Sequence, residues 1–125
     1  LTFNARENTS YLGWLLVLDG TTGIRFRREP AGGHVTAEGV LQNDYNHAVA
    51  TFDGVTARIY LNGVAGSTST PTGDQAVVDS MLMIGRGLQW ATHLGLIDEV
   101  AIYDKALPPT RVQAHYAAGR ASLTP

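Results

Sequence analysis

Short apolar or alternating runs recur along the chain, each closed by glycine beside Asp, Asn or Thr, and no stretch before residue 108 sustains helical periodicity. Residues 11–19 (YLGWLLVLD) are the densest run and predict a strand ended by Gly20-Thr21-Thr22-Gly23. Residues 24–28 alternate, with Ile24 and Phe26 on one face and Arg25 and Arg27 on the other, until residues 30–33 break the run. A weaker strand follows over 35–41, and the polar run Gln42-Asn43-Asp44 leads into another over 47–52. Asp53-Gly54 predicts a two-residue hairpin turn, because positive φ at both central positions favours such pairs. The return strand, 57–61, sets Ala57, Ile59 and Leu61 on one face and Arg58 and Tyr60 on the other, with Thr56 before them, and closes on a second such pair, Asn62-Gly63. Residues 66–73 (GSTSTPTG) read as a polar loop, and 76–85 and 94–103 as the last two strands. Pro108-Pro109-Thr110 then starts one short helix that Gly119 ends.

About seven strands at spacings of roughly 8–12 residues, with no crossover helix, describe an all-β fold: an antiparallel β-sandwich or jelly roll with a short C-terminal helix. A parallel α/β sheet needs helical connections that are missing here. The sandwich domain is expected over 1–119, with 120–125 as a tail. Composition fits this picture. An apolar fraction of 44% supports a core, while 16% charged residues and 14 glycines favour tight turns over ion-paired surface helices. A formal charge of −2 gives no reason to expect nucleic acid or an anionic membrane as partner. The chain has no cysteine, hence no disulfide or thiolate metal site, and no apolar run long enough to span a membrane. Leu1 in the first position points to an excerpt of a longer protein.

Four segments in fixed order narrow the reading. They are YNHAVATFDG (45–54), ARIYLNG (57–63), LMIGR (82–86) and GLIDEVAIYDKAL (95–107). Their order and spacing resemble the laminin-G-like, concanavalin A-type lectin/glucanase superfamily, whose pattern runs W-H-x-V-A-x-T-[YF]-D-G, Y-[VL]-[ND]-G, [IL]-G and G-x-I-D-E-V-x-I-Y-x-x-A-L. The resemblance covers roughly residues 45–116 and implies a concanavalin A-like sandwich. Tyr45 stands where the family usually carries Trp. The family's opening strands, of the type L-x-F-D-G-x-x-D-Y-V, have no counterpart, so the resemblance implies a domain lacking its N-terminal strands and an open edge prone to pairing. The missing strands would lie upstream or come from a neighbouring segment.

Resembling glucanases hold catalytic carboxylates as E-x-D-x-E, since a period of two puts them on one strand face. No such triplet occurs here, and on a regular strand Asp98 and Glu99 would project to opposite faces. The expectation is therefore that the domain is not an enzyme. The resemblance also implies that Asp98 could help bind a structural calcium ion with partners from N-terminal strands, the alternative being hydrogen bonds to nearby loops and backbone. His34, His47, His93 and His115 show no metal-ligand spacing, and His47 reads as structural. Residues 67–70 read as loop rather than nucleophiles, and Gly85-Arg86-Gly87 as a turn.

Sugar recognition needs an aromatic platform with polar groups beside it. Trp90 with Arg86, Gln89 and His93, in the loop before the last strand, is the best such cluster, and the competing role for Trp90 is to cap the end of the core. Trp14 reads as core. Arg25, Arg27 and Arg58 read as a solvated sheet face, or as a site for an acidic glycan if they converge. Asn8-Thr9-Ser10 fits a glycosylation sequon. The expected function is a non-catalytic carbohydrate-binding or adhesion module of a larger extracellular, cell-surface or virion-surface protein, such as a phage tail or fibre component. Its expected partners are glycans and neighbouring domains or subunits. The alternatives are a purely structural or protein-interaction sandwich and a degenerate hydrolase-like domain.

Overall fold

The computed structural model describes residues 2–6, 13–29, 33–73, 81–86 and 93–122. Within them eight strands form two antiparallel sheets, followed by one helix. The larger sheet has the order β4-β3-β2-β1-β8, with β1 Thr2–Arg6, β2 Gly13–Asp19, β3 Gly23–Glu29, β4 Val35–Glu38 and β8 Met83–Ile84. The smaller has β5 Ala48–Phe52, β6 Ala57–Leu61 and β7 Val64–Ser69 in sequence order. Helix α1 is Pro109–Ser122.

Alternation builds the core. The register pairs Leu18 with Ile24, Leu16 with Phe26 and Trp14 with Arg28, while Ile24 faces Ala37 and Phe26 faces Val35 across β3 and β4. These inward residues meet Ala57, Ile59 and Leu61 of β6 in one cluster, and Ala48, Ala50 and Phe52 of β5 pack against it together with Trp14, Leu18 and Val40. Full burial of each large side chain contributes on the order of 1.5–3 kcal/mol. The faces expected for β3 and β6 are the ones observed, and Trp14 is a partly buried member of the core.

Several boundaries differ from expectation. The strand β1 was not anticipated, although Phe3 and Ala5 alternate with Thr2, Asn4 and Arg6; it lies between β2 and β8 in the larger sheet. Residues 64–69, expected as part of a loop, form β7. The Asn62-Gly63 turn, with φ of 53° and 78°, has the twist that folds the chain back onto β6. Gly66 is required there, because a Cβ would collide with the Thr36 carbonyl and with Ala37. Beside it the Thr36 N–H donates to Ser67 Oγ at 2.8 Å, tying β4 to β7 across the two sheets. The Asp53-Gly54 connection is a four-residue loop rather than a two-residue turn, as Phe52 pairs with Ala57. Asp53 organises it: Oδ1 accepts the Val55 and Thr56 N–H groups at 2.9 and 2.7 Å, and Oδ2 accepts Arg58 Nη1 at 2.7 Å. The helix does not stop at Gly119 but runs through Ser122, past the boundary expected for the domain.

The expected final strand is the largest correction. Residues 94–103 form no strand, since among the described residues no partner strand runs beside them to supply a hydrogen-bond ladder. Of the expected strand 76–85, the described residues show only the two-residue β8, and 76–80 lie outside them.

Arg28 extends the inward series of β3 by the same period of two and is 4% exposed. Its guanidinium carbon sits 3.5 Å from the centroid of the Phe52 ring, bridging β3 and β5, and Nη1 has no hydrogen-bond acceptor among the described residues. A buried cation held only by a ring contributes little beyond its volume, because desolvation opposes the attraction. Arg28→Met should therefore melt at the same temperature as the parent or higher. Arg28→Ala, which leaves a cavity, should lose about 2–4 kcal/mol in denaturant unfolding.

Candidate functional site

The loop carrying the predicted cluster is closed at its base. Gly85 turns the chain with φ of 78°, and the His93 N–H donates to the Gly85 carbonyl at 2.8 Å, so residues 85 and 93 meet. Arg86 is exposed at one end of this loop, and His93 is half-buried at the other. His93 packs at Gly95, where a Cβ would lie 2.9 Å from its Nε2. Gln89 and Trp90 lie outside the described residues, as does the Asn8-Thr9-Ser10 sequon.

The arginines do not converge. Arg25 Nη2 pairs with Asp19 Oδ2 at 2.6 Å, and Arg27 Nε donates to His34 Nε2 at 3.3 Å, both on the outward side of β3. Arg58, bound to Asp53, points away from the core on β6 of the other sheet, hence onto the opposite face of the sandwich. The Val55, Thr56 and Arg58 bonds hold the Asp53 carboxyl far below the usual carboxylate range, with the Thr56 N–H the largest influence. Together these contacts are local locks on turns and strands.

Asp98 is exposed, and its Oδ1 accepts the Glu99 N–H at 2.8 Å. Glu99 has φ of 51°, so the backbone is not regularly extended at this pair and the strand alternation assumed for the two acids does not apply. Among the described residues no third acid or imidazole joins them in a group able to hold a metal ion. Calcium takes six to eight oxygens, so the described residues alone do not make up its shell.

His47 ties the sandwich to the C-terminal helix. Its N–H donates to Asn62 Oδ1 at 2.9 Å, and Asn62 Nδ2 donates in turn to Asn46 Oδ1 at 3.0 Å. The His47 ring lies 6.1 Å from that of Tyr116 on α1, and Tyr116 covers Gly63, where a Cβ would meet its ring at 2.9 Å. Val112 is fully buried, and Arg120 Nη1 reaches Asp44 Oδ2 at 3.1 Å. On the same helix His115 lies 6.0 Å, centroid to centroid, from Tyr103. Tyr45, where the resembling family carries Trp, is 40% exposed and so is not a core anchor.

Two antiparallel sheets packed on one apolar core, with turn-borne loops at their ends and a terminal helix, define a β-sandwich of the lectin type. The laminin G family (Laminin_G_3) of the concanavalin A-like lectin/glucanases superfamily matches residues 2–113, and the chain belongs to it. A comparison with curated proteins gave no match. Among solved structures, an S-layer domain-containing protein from Clostridium thermocellum (its residues 221–444) is similar, at 22% identity and a TM-score of 0.44. The alignment covers 88% of this chain and 58% of that one.

Burial holds the His47 pKa below its ordinary 6.5, and the neighbouring His115 charge lowers it further. The folded chain thus refuses a proton that the unfolded chain accepts, so stability present at neutral pH declines as pH falls below 6.5. Thermal melts should show a lower midpoint at pH 5 than at pH 7.5, and His47→Gln should reduce that difference. An undiminished difference in the variant would assign the acid lability to other groups.

Proposed function

We propose that this domain is a non-catalytic carbohydrate-binding or adhesion module of a secreted, cell-surface or virion-surface assembly. The observation that carries the reading is the closed base of the 86–92 loop, where the His93 N–H meets the Gly85 carbonyl. A loop pinned at its base presents its side chains with less entropy left to lose on binding than a free one. Trp90 within it supplies the apolar plane against which a pyranose ring stacks, and Arg86, Gln89 and His93 supply donors for the ring hydroxyls. A non-catalytic role agrees with the absence of an E-x-D-x-E triplet from the sequence and with the irregular backbone at Asp98 and Glu99.

A glycan array followed by titration calorimetry tests this directly. Binding should be lost in Trp90→Ala, weaken about tenfold in Arg86→Ala through loss of a charged donor, and survive Trp14→Phe. Retention of binding in Trp90→Ala would move the site elsewhere, and an array with no bound glycan would refute the carbohydrate reading.

A further inference from the structure

Helix α1 meets the rest of the chain along one stripe of side chains. Of Pro109–Ser122 only Val112, His115 and Tyr116 are not exposed, an i, i+3, i+4 set that lies on one face. Val112 is fully buried, Tyr116 lies over Gly63 and beside His47, and His115 meets Tyr103. The joint thus holds two imidazoles, His47 on the sandwich and His115 on the helix. His47 Nδ1 is buried and has no hydrogen-bond partner among the described residues. The acceptors of the adjoining turns are already occupied. Asn62 Oδ1 receives the His47 backbone N–H, and Asn46 Oδ1 receives the Leu41 N–H and Asn62 Nδ2. The Asp44 carboxylate receives the Tyr45 N–H and Arg120 Nη1.

We propose that this joint is an acid-operated latch: a proton on His47 releases α1 while the two sheets stay packed. Protonation puts an N–H on the buried Nδ1, where it meets no acceptor, and a buried donor left unmade destabilises the state that holds it. A charge on His115 adds like-charge repulsion across the joint. The groups around His47 are His115 and Tyr116 from α1, Asn62 and Gly63 from the turn after β6, and Asp44, Tyr45 and Asn46 from the turn before β5. The one carboxylate among them, Asp44, is held by Arg120. Docked, His47 declines a proton that it accepts once the helix leaves. Docking therefore weakens as pH falls below 6.5, by at most about tenfold per pH unit for one proton. The sheets do not share this dependence, because the cluster that joins them consists of apolar side chains. Once released, a helix of 14 residues is marginal in water, so release and fraying go together.

The test is a pH series on the whole chain, followed by nuclear magnetic resonance. The Overhauser contact between the Tyr116 ring and Gly63 reports docking, and amide protection in β5 and β6 reports the sheets. At pH 7.5 both should be present. At pH 5 the Tyr116–Gly63 contact should be lost and the α1 amides exchange freely, while β5 and β6 stay protected. His47→Gln, which cannot take up the proton, should keep the contact at pH 5. His115→Gln should move the loss to lower pH, since one of the two repelling charges is gone. A helix still docked at pH 5, or strands that lose protection together with it, would overturn the proposal. So would a pH midpoint in His47→Gln equal to that of the parent. Should His47→Gln undock the helix already at pH 7.5, His115→Gln decides, and a midpoint unchanged from the parent would overturn the latch.

Discussion

The two sheets of this domain meet along β4 and β7, and the packing behind them depends on how closely those strands approach. Gly66 has no side chain because the Thr36 carbonyl and Ala37 occupy the space a Cβ would need. The Thr36 N–H then finds Ser67 Oγ at 2.8 Å, so a side-chain hydroxyl takes the place of a ladder bond between sheets. That closure lets Val35 and Ala37 of one sheet lie in the same cluster as Ala57, Ile59 and Leu61 of the other. Interiors are packed at crystal-like density, so a gap at the seam would be felt throughout the cluster.

Away from the seam, specific contacts take over where apolar packing ends. Arg28 occupies the last inward position of β3 and rests on Phe52 at the end of β5, so the core finishes in a cation over a ring. At the other end of β5, His47 and Tyr116 connect the sandwich to α1, whose one buried side chain is Val112. Among the described residues the helix is docked by Val112, by the His47–Tyr116 and Tyr103–His115 ring pairs, by Tyr116 over Gly63 and by the Asp44–Arg120 pair, and exposed ion pairs of that kind contribute little. The half-buried His47 ring lies at this same junction, and its burial disfavours protonation.

The regions with functional potential lie where the sandwich stops being regular. The His93 N–H donates to the Gly85 carbonyl, and the apolar side chains of Leu94, Leu96 and Ile102 that follow it are exposed. The arginines, which composition alone leaves open as a site for an acidic glycan, are consumed locally by Asp19, His34 and Asp53.

Much of this architecture was legible in the sequence because its causes are local. Alternation in β3 and β6 fixed which residues enter the core, Asn62-Gly63 fixed a hairpin, and the proline pair fixed the helix start, since each depends on φ/ψ preferences and a period of two. The motifs at 45–63 and 82–107 pointed to the family for the same reason. Contacts between distant segments decided the rest. Residues 64–69 became a strand because β6 offered a ladder, while 94–103, richer in apolar residues, did not because no described strand lies beside it. Arg28 entered the core because its parity and Phe52 admitted it, although its residue type belongs outside. In the candidate site the sequence named Arg86, Gln89, Trp90 and His93 as neighbours in order, but only the fold brought residue 93 back to residue 85. A strand is completed by its partner, and a partner remote in sequence leaves no local trace.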